Sequence, residues 1–261
     1  PHNHGSTSSG ISHLDLFITI MKIKYIPTVE GMELLFSIPE RIDVEVAKSY
    51  GEQLRGCVAI DTFYQDMFCF KAEYDFKITY DENGTVIFDR DNSSIEISKL
   101  DEVMSNVVTD HSVDHTIIQI FTNSVFIADK QCTMTTIPPI FHMQKNPDLW
   151  NNIRMVAGKF NIYDWQRPIN FAFEWINTDK TLTVKKGTPL FYMYFNSENL
   201  NDKFSIEKAK DQSKYVSLFK RCMGSRGLIV RGTRELISRN KKMRDEESKC
   251  PYTKFKKRFG L

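Results

Sequence analysis

No run of apolar residues in this sequence approaches the roughly 18 that a membrane-spanning helix needs, so an integral membrane protein is not expected. There is no CxxC pair among the 5 cysteines, no GxxxxGK[ST] phosphate loop, no internal repeat and no low-complexity tract. Cys57, Cys69, Cys132, Cys222 and Cys250 are scattered and odd in number, which favours reduced thiols over a disulfide framework or a zinc knuckle. No motif names a cofactor.

What is present is a chain of 261 residues, long enough to bury a sizeable core, with 41% hydrophobic, 12% aromatic and 26% charged residues. The net charge of +2 conceals an uneven distribution. About half of the 35 Lys and Arg follow residue 202, so an acidic body precedes a strongly basic tail. Residues 1–20 precede Met21 and read as a tag-like leader or upstream read-through. They carry neither a basic n-region nor a small-residue cleavage site, which argues against secretion. The expected organisation is this leader, a β-rich domain over 21–198 and a basic helical tail over 199–261.

The β reading rests on alternation and turn chemistry. Residues 21–45 read as one or two strands, with Pro39 at an edge or break. Phe76, Ile78 and Tyr80 alternate into Asp81-Glu82-Asn83-Gly84, and Val86 and Phe88 alternate out, as in a hairpin turning on Asn-Gly. Residues 99–110 have helical spacing at Leu100, Val103, Met104 and Val107. Two β-rich runs follow, interrupted at Asn123-Ser124. Strands are then expected at 169–175, 182–184 and 190–195; if the last lies at an edge, it can pair between subunits. Short strands with few intervening helices point to a mainly β fold, an antiparallel sandwich or barrel. Beyond residue 198 the pattern turns helical: Ile206, Ala209, Val216 and Phe219 share a face, with Ser205 as N-cap and Gly224 as stop. A second helix is expected after Thr233.

The phrases "LRGCVAIDTFYQDMFCFKAEYDFKITYDENG", "TTIPPIFH" and "NIYDWQRPINFAFEW…VKKGTPLFYMYF" resemble a family of uncharacterised proteins of tailed bacteriophages, of the marine cyanophage type. The likeness spans roughly residues 50–198. It implies a phage protein residing in host cytoplasm or virion, but no activity. More distantly, the order strand, turn, strand, Lys-x-Gly-x-x, apolar strand resembles the closing strands of deoxyuridine triphosphatase and dCTP deaminase barrels. That likeness implies a nucleotide pocket at 158–164, with Asn161 and Tyr163 standing where those enzymes place two acids. An amide cannot serve as a general base, so the central part of that hydrolytic mechanism is missing.

Several constellations carry possible chemistry. Asn161, Tyr163, Asp164, Arg167 and Glu174 are the candidates for a ligand pocket, its mouth at the turn over 164–167. His111, Asp114, His115 and His142 are ligand-type residues, but their spacing names no metal, and a solvated loop explains the first three. Phe171, Phe173 and Trp175 form one aromatic face, expected in the core rather than as a base- or sugar-stacking stripe. Lys185-Lys186-Gly187-Thr188-Pro189 reads as a turn needing positive φ at Gly187. Lys254, Phe255, Lys256, Lys257, Arg258 and Phe259 combine cations with rings and suit a nucleic-acid backbone or an acidic partner. The leading expectation is a non-catalytic domain that self-associates or binds another phage or host protein. The alternative is a small-ligand or nucleotide-processing enzyme on a dUTPase-like barrel.

Overall fold

The computed structural model describes residues 20–27, 37–43, 57–81, 83, 85–89, 107–111, 116–199 and 201–210, with isolated positions at 215, 238, 241 and 242. The fold is mainly β. The first sheet runs β14(Lys203–Lys208), β1(Ile20–Pro27), β7(Thr116–Ala128), β11(Pro168–Trp175), β9(Ile153–Met155), with β6(Val107–His111) also on β7. The second runs β10(Gly158–Asn161), β8(Cys132–Ile137), β13(Pro189–Ser197), β3(Phe68–Lys71), β2(Glu40–Arg41). The third joins β12(Leu182–Val184), β4(Phe76–Tyr80) and β5(Val86–Phe88). Pairing is antiparallel except between β1 and β14, which are parallel.

Alternation decides which faces meet. On β11, Phe171, Phe173 and Trp175 are buried while Asn170, Ala172 and Glu174 are only partly covered, so the aromatic face is core. The Phe171 ring lies 6.4 Å from Phe191 on β13, which stacks on Phe70 of β3 at 4.6 Å and 11°. Phe126 and Phe195 add a second contact between the two large sheets, at 6.5 Å. The third sheet adds Phe76, Ile78, Phe88, Leu182 and Val184 to the same core cluster. Burying one such ring contributes on the order of 2 kcal/mol, and the layer packs among buried Ile, Leu, Val and Met side chains of the same cluster.

The polar interruption at Asn123-Ser124 is a bulge inside one continuous strand. Val125 pairs Pro168 and Phe121 pairs Asn170, so three residues of β7 oppose Ile169 alone. Asn123 takes φ 52°, which Asn tolerates better than most residues. The Thr122 hydroxyl donates to the Ile169 carbonyl at 2.9 Å, and the Ser124 hydroxyl to the Thr122 carbonyl at 3.1 Å. The bulge divides the strand's other edge: β6 pairs residues 116–120 and β1 pairs residues 124–128.

Both faces of β13 are buried. Its outer side is covered by α1(Val58–Gln65) and a 3-10 turn at Ile140–Lys145; the turn leads into α2(Pro147–Trp150), whose Leu149 and Trp150 join the inner core. Rich in β-branched residues and without a side-chain N-cap, α1 is a marginal helix by itself. Packing holds it: the Tyr64 ring contacts Phe141 at 4.4 Å and Tyr192 at 6.3 Å. In α2, the Asn146 side chain accepts from Leu149 N at 3.2 Å and donates to the Thr183 carbonyl at 3.0 Å, which ties the helix to β12.

The structure differs from the sequence expectations at several points. Ser205 and Ile206, read as the start of a helix, lie in β14, where Ile20 to Tyr25 supply a parallel partner that isolated periodicity cannot reveal. Thus the β fold continues past residue 198. Val107, read as helical, is in β6, while residues 99–106 lie outside the described residues. Leu190 to Phe195 do not form an edge: β13 sits between β8 and β3, so its backbone is already paired within the chain. Ala209, expected on the same helical face, instead follows β14 and donates its N–H to the Tyr25 carbonyl at 3.0 Å; apart from isolated positions, the rest of the tail, including Gly224 and Thr233, lies outside the described residues.

The β4–β5 pairing and the turn at 185–189 form as expected, while Gly84 of the hairpin turn lies outside the described residues. Asp81 accepts from Asn83 N at 2.9 Å and Thr85 N at 2.6 Å. Gly187 has φ +80°, and a Cβ there would meet nothing within 4 Å. Gly187→Ala therefore isolates backbone strain without a clash. A loss of about 1 kcal/mol is expected in urea unfolding, and less for Gly187→Asn, because Asn visits this region more readily.

Candidate functional site

The loop joining β10 to β11 holds Asn161, Tyr163, Asp164 and Arg167 together. Asn161 organises it: its side-chain carbonyl accepts from Tyr163 N at 3.0 Å and Asp164 N at 2.8 Å, while its amide donates to Asp164 Oδ2 at 3.0 Å. Gln131, from the β7–β8 turn, donates to the same oxygen at 3.0 Å. The Gln166 side chain donates to the Tyr163 carbonyl, and Asp164, Trp165 and Gln166 are buried. Asp164 is only 3% exposed. A carboxylate in that position, gripped by two amides, fastens a loop to a neighbouring turn; water activation requires one facing an open pocket.

Glu174 does not join them. It lies seven residues along β11 from Arg167, roughly 20 Å at the rise of an extended strand, and faces Arg154 at 3.4 Å. Of the metal candidates, His111 is on β6 with only its backbone described, and Asp114 and His115 lie outside the described residues. Lys254, Phe255, Lys256, Lys257, Arg258 and Phe259 also lie outside them.

His142 is buried in the 3-10 turn and hydrogen-bonded through Nδ1 to the Tyr192 hydroxyl. Burial, followed by the nearby Lys145 and Lys71 cations, pushes its pKa down to about 4, so the ring is neutral at pH 7. Tyr192 is opposite Cys69 in the β13–β3 pairing. Burial pushes the Cys69 and Cys132 thiols up to about 12, far from the thiolate form that nucleophilic chemistry uses. Among the described residues no cluster of three or more His, Cys, Asp and Glu is placed to hold a metal ion. No described helix is long and apolar enough to cross a membrane.

A larger concavity than any at the 161–167 loop lies elsewhere among the described residues. A cleft of about 630 Å³ opens between α1 and the turn from β13 to β14. Ala59, Phe63 and Asp66 succeed one another at helical spacing and form one wall together with Val58. Val58 is 76% and Phe63 48% exposed, although both are large and apolar. Across from them stand Tyr194, Asn196, Ser197, Asn199 and Asp202. The Phe63 and Tyr194 rings are 5.8 Å apart. Asp202 accepts from the Ser197 hydroxyl at 2.8 Å and from the Asn199 amide at 3.0 Å. Asp66 is held by Lys203 at 2.7 Å and Arg41 at 3.3 Å.

Sequence reasoning missed this cleft because its walls, residues 58–66 and 194–204, are far apart along the chain. One signal was available: once residues 58–65 are taken as helical, Ala59 and Phe63 form a stripe about 100° round from that of Ile60 and Tyr64. Comparison of the sequence with protein-family models and with curated proteins gives no match.

Two outcomes follow from the buried groups. Asp164→Ala strands the Gln131 and Asn161 amides and is expected to cost roughly 1–3 kcal/mol in urea unfolding, whereas Glu174→Ala changes stability by less than about 0.5 kcal/mol. Because the His142 pKa is depressed on folding, the unfolded chain binds the extra proton between pH 6.5 and about 4. The stability contributed by the neutral ring is present above pH 6.5 and declines as pH falls through that window. Unfolding midpoints measured from pH 7 to 4 should show this decline, and His142→Gln should reduce it.

Proposed function

We propose that this chain is a non-catalytic phage recognition domain that engages its partner through the cleft between α1 and the β13–β14 turn. The observation that carries this reading is the 48% exposure of Phe63 at the rim of a cleft of about 630 Å³. Among the described residues most rings are buried, and a large apolar side chain left facing a cleft marks a surface that gains from being covered. The loop at 161–167 supports the same reading from the other side. Its acid and amides are bonded to one another, so it serves as scaffold and not as the nucleotide pocket of a dUTPase-like enzyme. The phage lineage rests on the phrases between residues 50 and 198.

Protein-observed NMR with small aromatic, cationic, anionic and polyhydroxylated probes tests this reading. Shifts are expected to concentrate on residues 58–66 and 194–204 and to vanish in Phe63→Asp, a surface change expected to leave the unfolding midpoint nearly unaltered. Shifts centred on 161–167, or turnover of a deoxynucleoside triphosphate, would overturn it.

A further inference from the structure

The cleft is divided by chemistry. Val58, Ala59 and Phe63 offer an apolar wall, extended by the Tyr194 ring. The opposite wall is a row of planar or hydroxyl-bearing side chains: Asn196, Ser197, Asn199 and Asp202. An ionised carboxylate has about four lone-pair sites, and Ser197 and Asn199 occupy two on Asp202 while fixing its orientation. The Asn199 amide retains a second N–H. Donors and acceptors therefore lie side by side opposite a ring.

Charge narrows the ligand further. Asp66 is matched by two cations, Lys203 and Arg41, and Asp202 adds one further carboxylate, so the charges around the cleft roughly balance and favour neither a strongly cationic nor an anionic ligand. A wholly apolar segment would cover the Asp202 wall without satisfying it, at a desolvation cost. The class that meets both walls is a neutral polyol with an apolar C–H face and a rim of hydroxyls that donate and accept.

Resting on the recognition reading above, we propose that the cleft is a binding site for a neutral saccharide. One sugar ring lies against Phe63, and vicinal hydroxyls bond Asp202 and Asn199. The volume of about 630 Å³ falls within the roughly 300–1,000 Å³ of small-ligand sites and admits a short oligosaccharide.

Titration calorimetry and saturation-transfer NMR of the full chain with glucose, galactose, mannose, N-acetylglucosamine and their linear trimers supply the test, alongside a Lys-rich peptide and thymidine monophosphate. At least one neutral saccharide is expected to bind saturably, with affinity reduced roughly tenfold or more by Phe63→Ala and by Asp202→Asn, but not by Ile176→Ala. Failure of every saccharide to saturate at millimolar concentration overturns the proposal, as does saccharide binding insensitive to Phe63→Ala. Binding of the peptide or the nucleotide alone, if sensitive to Phe63→Ala, also overturns the saccharide assignment but keeps the cleft as the recognition surface. Absence of any Phe63-dependent ligand, together with no NMR shift at 58–66, defeats both.

Discussion

The rest of this structure depends on the contact between Phe171 and Phe191. Each ring belongs to a different sheet, and Phe191 in turn stacks on Phe70, so three strands that are distant in sequence meet in one aromatic layer. The alternation of β11 has one physical consequence here: it puts Phe171, Phe173 and Trp175 on the side where β13 presents Phe191, Met193 and Phe195. The second face of β13 is also buried, which requires a cover. Tyr64 and Phe141 provide it, and so bring α1 to the place where Phe63 overhangs the end of the strand. The cleft is in this sense a by-product of covering the central strand.

Local chemistry was legible wherever a single segment determined its own conformation. The Asp81 turn, the positive φ at Gly187 and the aromatic face of β11 depend on nearest neighbours along the chain, and all could be read from residue types. Asp75 reinforces the Gly187 turn from outside: the Lys186 N–H and the Lys185 ammonium hold its carboxyl below the usual range. Features that depend on distant partners were not legible. β14 is a strand because β1 lies beside it, and the Lys24–Glu207 pair fastens the two. Asn123-Ser124 resembles a break until Thr122 and Ser124 are seen bonding the carbonyls that the bulge would otherwise leave unmet.

The same distinction separates the two candidate sites. Residues 161–167 drew attention because polar and aromatic side chains crowd a short stretch, but density in sequence also marks a loop that must satisfy its own backbone. Asn161 uses both ends of its amide for that purpose. The cleft has no such density in either segment that builds it. Its aromatic wall comes from a helix with weak intrinsic propensity, and its polar wall from the turn that leads β13 into β14. Only the sheet order, with β13 central and β14 beside β1, brings the two together.

The most direct measurement is urea unfolding of Phe191→Ala followed by far-ultraviolet circular dichroism and tryptophan fluorescence. A ring that joins both large sheets should cost about 3–5 kcal/mol when truncated, and the two signals should shift together because Trp150 and Trp175 belong to the same core cluster as Phe191. A loss below about 1 kcal/mol, or a fluorescence transition that stays in place while the dichroism transition moves, would contradict the account.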